Sequence, residues 1–410
     1  METDFGEIKK MKDIVIVRNK WRIVQLWIYI ILLFPLLAEN IISTILGDDI
    51  SKILSVVSCG VMLLMIFKQK LHINGFILGM ILLVLLHVII TFVFVPSTIK
   101  ITVANNLVAP YGLIGYFMLF LFIDAYLDKP DTLIAIFHSM MVIMTISVLV
   151  NFIFTADFQI ADNILVFKEA LRTGYTNSRQ WLFGHRNMIF IHHLMWILFS
   201  YITYKLEHRN YTNLFIVQIL YTMVVGVVSW NSTMMFTTVI IFVLAFFRNG
   251  IFSKMTIIHY VLLYLFLEIG IVFLRIQDFF SYIIVSILHR NLSLTGRTSI
   301  WDYYIKQFSD ENLFQKLFGN FGVTQLSVNT HNMFLGLLVF TGVIGLTLYF
   351  VLLYLAIVNL IKEKNTDLAR FVSVILFGFL INALTMEFYL QPLTAIYVGY
   401  RIRKINQLIN

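Results

Sequence analysis

The chain has 410 residues, of which 60% are hydrophobic and only 13% charged, with a mean hydropathy of +0.87. A soluble domain carries roughly 25% charged residues, so these proportions exclude a water-soluble globular protein and require most of the surface to lie in lipid. The formal charge of +8 would suit nucleic acid, but the cations lie between apolar runs, where an orientation bias accounts for them; no nucleic-acid partner is expected.

The apolar runs recur at about 18 to 25 residues, the length that crosses a hydrocarbon core of roughly 30 Å. They predict an all-α, polytopic membrane protein forming one integral domain over 1–410. A β-barrel would instead show short alternating segments. Lys9, Lys10, Lys12, Arg18, Lys20 and Arg22 precede the first run with no small-residue cleavage site, which reads as a start-transfer helix.

About twelve transmembrane helices are predicted, near 23–46, 50–67, 73–95, 107–126, 132–154, 186–204, 211–229, 232–247, 255–274, 331–361, 368–385 and 386–400. The polar break Trp230-Asn231-Ser232-Thr233 separates the seventh from the eighth. An even number of crossings puts both termini on one side. Most of the 30 Lys and Arg then fall in segments on that side, among them Lys68, Lys129, Lys205, Arg209 and Arg401, so both termini are read as cytoplasmic. The lone Cys59 sits inside an apolar run, which leaves no disulfide framework and no CxxC metal site. Gly75-x-x-x-Gly79 reads as a helix contact.

Two outer loops carry more cations than topology needs. The loop at 155–185 and the start of the sixth span hold Lys168, Arg172, Arg179 and Arg186; the loop at 275–330 holds Arg275, Arg290, Arg297, Lys306 and Lys316. Guanidinium groups grip phosphate through paired donors, which points to an anion site at the outer leaflet. Within the second and larger loop, Ser293 to Arg297 reads as a turn that opens a short interfacial helix. Ile300, Trp301, Tyr304, Ile305 and Phe308 would form its apolar face, with Arg297 and Trp301 sharing one side. Leu317-Phe318-Gly319-Asn320-Phe321-Gly322 is a glycine turn back towards the membrane.

His331 follows at the mouth of the tenth span, with Asn329 and Thr330 expected as N-caps. The free N–H groups of the helix start would favour a neutral imidazole and hold an anion beside it. A neutral imidazole is a suitable proton acceptor. A competing class is a transporter or lipid-linked oligosaccharide flippase, because Glu39, Asp124, Glu268, His87, His138, His192 and His193 lie in or near spans, and charges there often mark transport paths. No repeat relates the two halves, which weakens that class.

Gly296-Arg297-Thr298-x-x-Trp301, Leu317-Phe318-Gly319-x-x-Gly322 and His331-Asn332-x-x-Leu335 with Gly342-x-x-Gly345, in that order, resemble the core of the O-antigen ligase/polymerase family. The match covers about residues 290 to 350, and Arg186-Asn187 resembles the family's junction at the sixth span. A Ser-Arg pair frequent in the family near the seventh break is replaced here by Ser229-Trp230-Asn231-Ser232. The resemblance implies a multi-pass glycosyltransferase of the bacterial cytoplasmic membrane. It would polymerise undecaprenyl-diphosphate-linked oligosaccharide repeats into capsular polysaccharide, exopolysaccharide or O-antigen at the outer face, needing no metal and no cofactor. A ligase transferring the glycan to a lipid, wall or protein acceptor is the alternative; short outer loops without an appended soluble domain favour the polymerase. By the same resemblance His331 and Arg297 are catalytic, and Arg186, Arg179, Arg290, Asn187, Asn332 and Trp301 bind substrate. Partners are the lipid-linked glycan and membrane lipids, with a chain-length regulator and a flippase in the same system.

Overall fold

Where no water reaches the backbone, each peptide group has to bond within its own segment, and the apolar runs fold as helices for that reason. The computed structural model describes residues 22–69, 73–90, 103–173, 188–229, 231–246, 255–282, 297–319, 330–386 and 390–409, with backbone alone for 103–111 and 154–173. In chain order the helices are α1 (Arg22–Leu37), α2 (Glu39–Leu46), α3 (Asp48–Ile66), α4 (Gly75–Ile89), α5 (Val103–Ala125), α6 (Pro130–Thr173), α7 (Ile189–Leu206), α8 (Thr212–Val228) and α9 (Ser232–Phe246). Then follow α10 (Ile257–Glu268), α11 (Arg297–Asp310), α12 (Leu313–Phe318), α13 (Met333–Lys362), α14 (Asp367–Ala383) and α15 (Pro392–Ile409). No β-strand occurs among the described residues. Among them, four helices are long and apolar enough to cross a membrane, within α3, α6, α7 and α13, and α1, α4, α5, α8, α9 and α10 add shorter apolar stretches. This is an all-α membrane protein.

Helix α7 is the axis of the bundle. Nearly all its side chains are buried, from Ile189 to Leu206, against α6, α8, α14 and α15. The peripheral helices show the opposite pattern: Ile53, Val56, Leu64 and Phe67 on α3, Leu220 and Val224 on α8, and Leu262 and Phe266 on α10 are exposed. Apolar surface of that extent is costly in water and matched by acyl chains. The expected contact through Gly75 and Gly79 is made, with α4 lying on α13. A Cβ at Gly79 would stand 2.8 Å from Leu352 Cδ2.

Several elements depart from the expected spans. The first is broken in two, because Pro35 has no N–H to give and Ala38 leaves the helical region (φ −118°, ψ 27°). The fifth continues as α6 to Thr173, into the segment read as an outer loop at 155–185. Neither glycine nor proline interrupts the chain between Asp131 and Thr173; residues 174–185 lie outside the described ones. Helix α12 was not foreseen, although Asn312 caps it by accepting from Gln315 N at 2.9 Å. The break after α8 is present, with Asn231 Oδ1 accepting from Met234 N at 3.0 Å to start α9.

Most of the ion pairs among the described residues gather at one end of the bundle. Arg22 pairs with Asp131, His138 Nδ1 lies 2.8 Å from Glu207 Oε1, and Lys205 Nζ lies 3.9 Å from Asp367 Oδ2. Asp124 is the hub there: Arg401 Nε, Tyr397 OH and Asn74 Nδ2 each donate to its carboxylate at 2.7 Å. This end carries Lys129, Arg209 and Lys404, cations of the side read as inner. Since α13 ends beside the start of α14, and Asp367 of α14 meets Lys205 at the end of α7, the starts of α7 and α13 lie at the other end.

Candidate functional site

At that other end, α10 closes on a carboxylate. Glu268 is buried, its Oε2 accepting from Tyr264 OH at 2.8 Å and its Oε1 from Asn332 Nδ2 at 2.9 Å. The same Asn332 accepts from Leu335 N at 2.8 Å through Oδ1 and so caps α13. One side chain thus joins the end of α10 to the start of α13, 64 residues away. Past Glu268 the helix widens into a π turn over Ile269–Phe273, a rare form that is frequent at functional sites. Arg275 follows in the left-handed region (φ 53°).

Helix α11 is clamped onto this junction. Trp301 Nε1 donates to Thr330 O at 3.0 Å, and Trp301 and Tyr304 pack with Val272, Leu335 and Val339 in a small core of their own. The predicted apolar face is therefore the one the helix buries. Arg275 holds it from the α10 side: its guanidinium lies 5.4 Å from the Trp301 ring centre, donates to Thr298 O at 3.0 Å and pairs with Asp302. Arg297 is the first residue of α11, one turn before Trp301 on the same side.

Helix α12 fixes the other flank. It stops at Gly319 (φ 86°, ψ 176°), which abuts Gly342 (φ 67°, ψ −173°) inside α13. A Cβ at Gly342 would overlap the Leu317 carbonyl, and one at Gly319 the Phe340 carbonyl. Both glycines occupy a backbone region that is essentially theirs alone. The tenth span is consequently kinked, with a short first arm, Met333 to Thr341, between α12 and α10.

His331 stands at the head of that arm. Thr330 and Asn332 on either side are fully buried, and His331 is half-buried in the left-handed region (φ 52°). Thr330 Oγ1 donates to Asn332 O at 2.8 Å, closing a tight corner around it. A left-handed non-glycine residue costs on the order of 1–3 kcal/mol and persists only where its surroundings over-determine it. Here the Trp301 and Glu268 bonds do so. The result is an imidazole on a rigid corner, beside the N–H groups of a helix start and next to a helix that opens on Arg297. Such an arrangement can take a proton and stabilise a developing anion.

The N-cap is Asn332, not Asn329 or Thr330, because its amide reaches both Leu335 N and Glu268; α13 starts at Met333 and leaves His331 outside the helix. Asn329 lies outside the described residues. Asn332 and Trp301, expected to bind substrate, are buried and spend their polar atoms within the fold; they position the corner. Arg186, Arg179, Asn187 and Arg290 lie outside the described residues. Glu268 and Tyr264 were not foreseen as part of the site, and Arg275, counted among the loop cations of an anion site, bonds within the fold to Thr298 O and Asp302. A carboxylate in an apolar run was the available signal for Glu268, and it was read as a transport marker. Of the span histidines, His87 Nδ1 lies 2.8 Å from Leu83 O and His192 Nδ1 3.0 Å from Met188 O within their own helices, while His193 Nδ1 reaches Thr222 Oγ1 of α8 at 2.9 Å.

Replacing Glu268 with alanine leaves Tyr264 OH and Asn332 Nδ2 without their acceptor. Each stranded group costs about 1–3 kcal/mol, so Glu268→Ala is expected to unfold at a lower denaturant concentration than wild type. Asn332→Ala in the Glu268→Ala background should cost less than in wild type, because the two share one bond. Additive losses in a double-mutant cycle would contradict the link.

Comparison with protein-family models, with curated proteins and with solved structures finds no match to this chain. The functional reading rests on the residues themselves.

Proposed function

We propose that this protein is a membrane glycosyltransferase of the polymerase/ligase type, acting on a glycan carried by a polyprenyl diphosphate. The observation that carries the reading is the enclosed corner Thr330–His331–Asn332, held by Trp301 and Glu268 beside the helix that begins at Arg297. The segments quoted for the family resemblance, far apart in sequence, contribute to this one junction: Trp301 bonds to the residue before His331, and Gly319 abuts Gly342.

In this reading His331 removes the proton from an acceptor hydroxyl as its oxygen bonds to the anomeric carbon. The bond from that carbon to the diphosphate oxygen breaks, and its electron pair leaves with the diphosphate. Arg297 meets the charge that develops there, a contribution that is large when the donor is fixed in advance. The diphosphate is already a good leaving group, so the step asks for no metal. A single displacement inverts the anomeric carbon. Polymerisation, with another lipid-linked repeat as acceptor, is the form we favour over ligation, and the outer face of a bacterial cytoplasmic membrane is its place.

The test is genetic. In cells that depend on this protein for long-chain polymer, His331→Ala and Arg297→Ala are each expected to abolish the polymer while protein level and membrane insertion stay normal. Full-length polymer in both variants would sink the proposal.

A further inference from the structure

At the end opposite His331 the structure holds a cavity of about 560 Å³ between the α7–α8 turn, the end of α9, α14 and the end of α15. Its rim carries the cations Lys205 and Arg209, with His208 between them in sequence, and among the described residues no carboxylate lines it. Its wall is aromatic and apolar. Tyr201 stacks on Phe371 at 3.8 Å between ring centres, Tyr211 meets Phe371 edge-on at 5.8 Å, and Phe246 and Ile409 continue the apolar side.

Two carboxylates, Glu207 and Asp367, lie near the rim but are not part of the lining. Glu207 is shared between His138 at 2.8 Å and Arg209 at 3.2 Å, and Asp367 lies 3.9 Å from Lys205. The hydrogen bond from His138 holds the Glu207 carboxyl below its ordinary range, against the opposing effect of burial. Lys205 and Arg209 also lie over the rings of Tyr201 and Tyr204, at 5.7 and 4.8 Å. His208 is held in the left-handed region (φ 54°) at the turn itself, one of three such non-glycine residues among those described. The start of α8, at Thr212, adds the partial positive charge of a helix N-terminus to the same mouth.

We propose that this cavity is a binding site for one anionic phospholipid, with the phosphate between Lys205 and Arg209 and an acyl chain along Phe246 and Ile409. A phosphate alone would meet the rim but leave the apolar wall bare; a neutral lipid would fill the wall and gain nothing from the positive charge of Lys205 and Arg209. Basic pockets between membrane helices bind acidic headgroups by this division of labour. The site is independent of the glycan chemistry proposed above.

Native mass spectrometry of the full chain, stripped of lipid in detergent, tests it with phosphatidylglycerol, phosphatidylcholine and inorganic phosphate as probes. One phosphatidylglycerol is expected to stay bound, with phosphatidylcholine retained more weakly and inorganic phosphate unable to displace it at equal concentration. The Lys205→Gln/Arg209→Gln variant should bind about thirtyfold more weakly, at roughly one kcal/mol per basic residue. Its lipid-free unfolding temperature should fall only slightly, since ion pairs as exposed as those of Lys205 and Arg209 add little to stability. Phe246→Ser, which keeps the cations, should also weaken retention. Equal retention of the two lipids, wild-type binding by the double variant, or full displacement by phosphate would each overturn the proposal.

Discussion

Gly342→Ala is expected to be among the most damaging single-methyl changes in this protein. Gly342 has φ 67° and ψ −173°, where a residue with a side chain costs on the order of 1–3 kcal/mol in backbone energy alone. The added methyl would also overlap the Leu317 carbonyl, a backbone atom that cannot rotate away. Helix α12 would have to lift off α13, or the kink would have to straighten and carry the His331 corner with it. Gly47 supplies the control. It too has a positive φ, 91°, but nothing lies within 4 Å of the methyl it would receive. Gly47→Ala should show the backbone cost alone, and Gly342→Ala should exceed it by a few kcal/mol in denaturant unfolding. Equal losses in the two variants would show that the contact between α12 and the kink carries no weight.

Asp124→Asn is the second large effect, at the other end of the bundle. The Asp124 side chain is 4% exposed and that of Arg401 16%, so neither charge is well served by water. Removing the carboxylate leaves the guanidinium enclosed without a counter-charge, and such losses run to about 3–5 kcal/mol. An amide can still bond Tyr397 or Asn74, but it returns none of the Coulomb energy. Arg401→Gln in the same chain should recover part of the loss, because the stranded charge is then gone. A double variant no better than the sum of its parts would mean that the pair is not coupled.

How much of this was legible in the sequence depends on the reach of each cause. Apolar helices were legible because bilayer thickness imposes a length, and α3, α7 and α13 fall on the runs expected near 50–67, 186–204 and 331–361. The apolar face of α11 was read correctly because Trp301 and Tyr304 follow helical spacing. Features set by distant partners were not legible. The split at Ala38, the cap at Asn332 and the role of Glu268 depend on contacts that no local period announces. The Glu268–Asn332 bond spans 64 positions. Gly342-x-x-Gly345 was visible as a motif, but its meaning as a kink needed α12 and Gly319 to be in place. Loop one was misjudged for a different reason: the charges after residue 155 suggested a loop, while the absence of glycine and proline let α6 continue to Thr173.

The central claim is a proton acceptor at His331 serving glycan transfer from a lipid diphosphate. Its most direct test uses the purified protein in detergent with a polyprenyl-diphosphate-linked repeat unit, without metal or nucleotide sugar, and reads the products on a gel. A ladder of lengthening glycan with wild type, and none with His331→Ala of equal stability, is the result the account predicts. No transfer by wild type from substrate shown to be intact, or an undiminished ladder with His331→Ala, would contradict it.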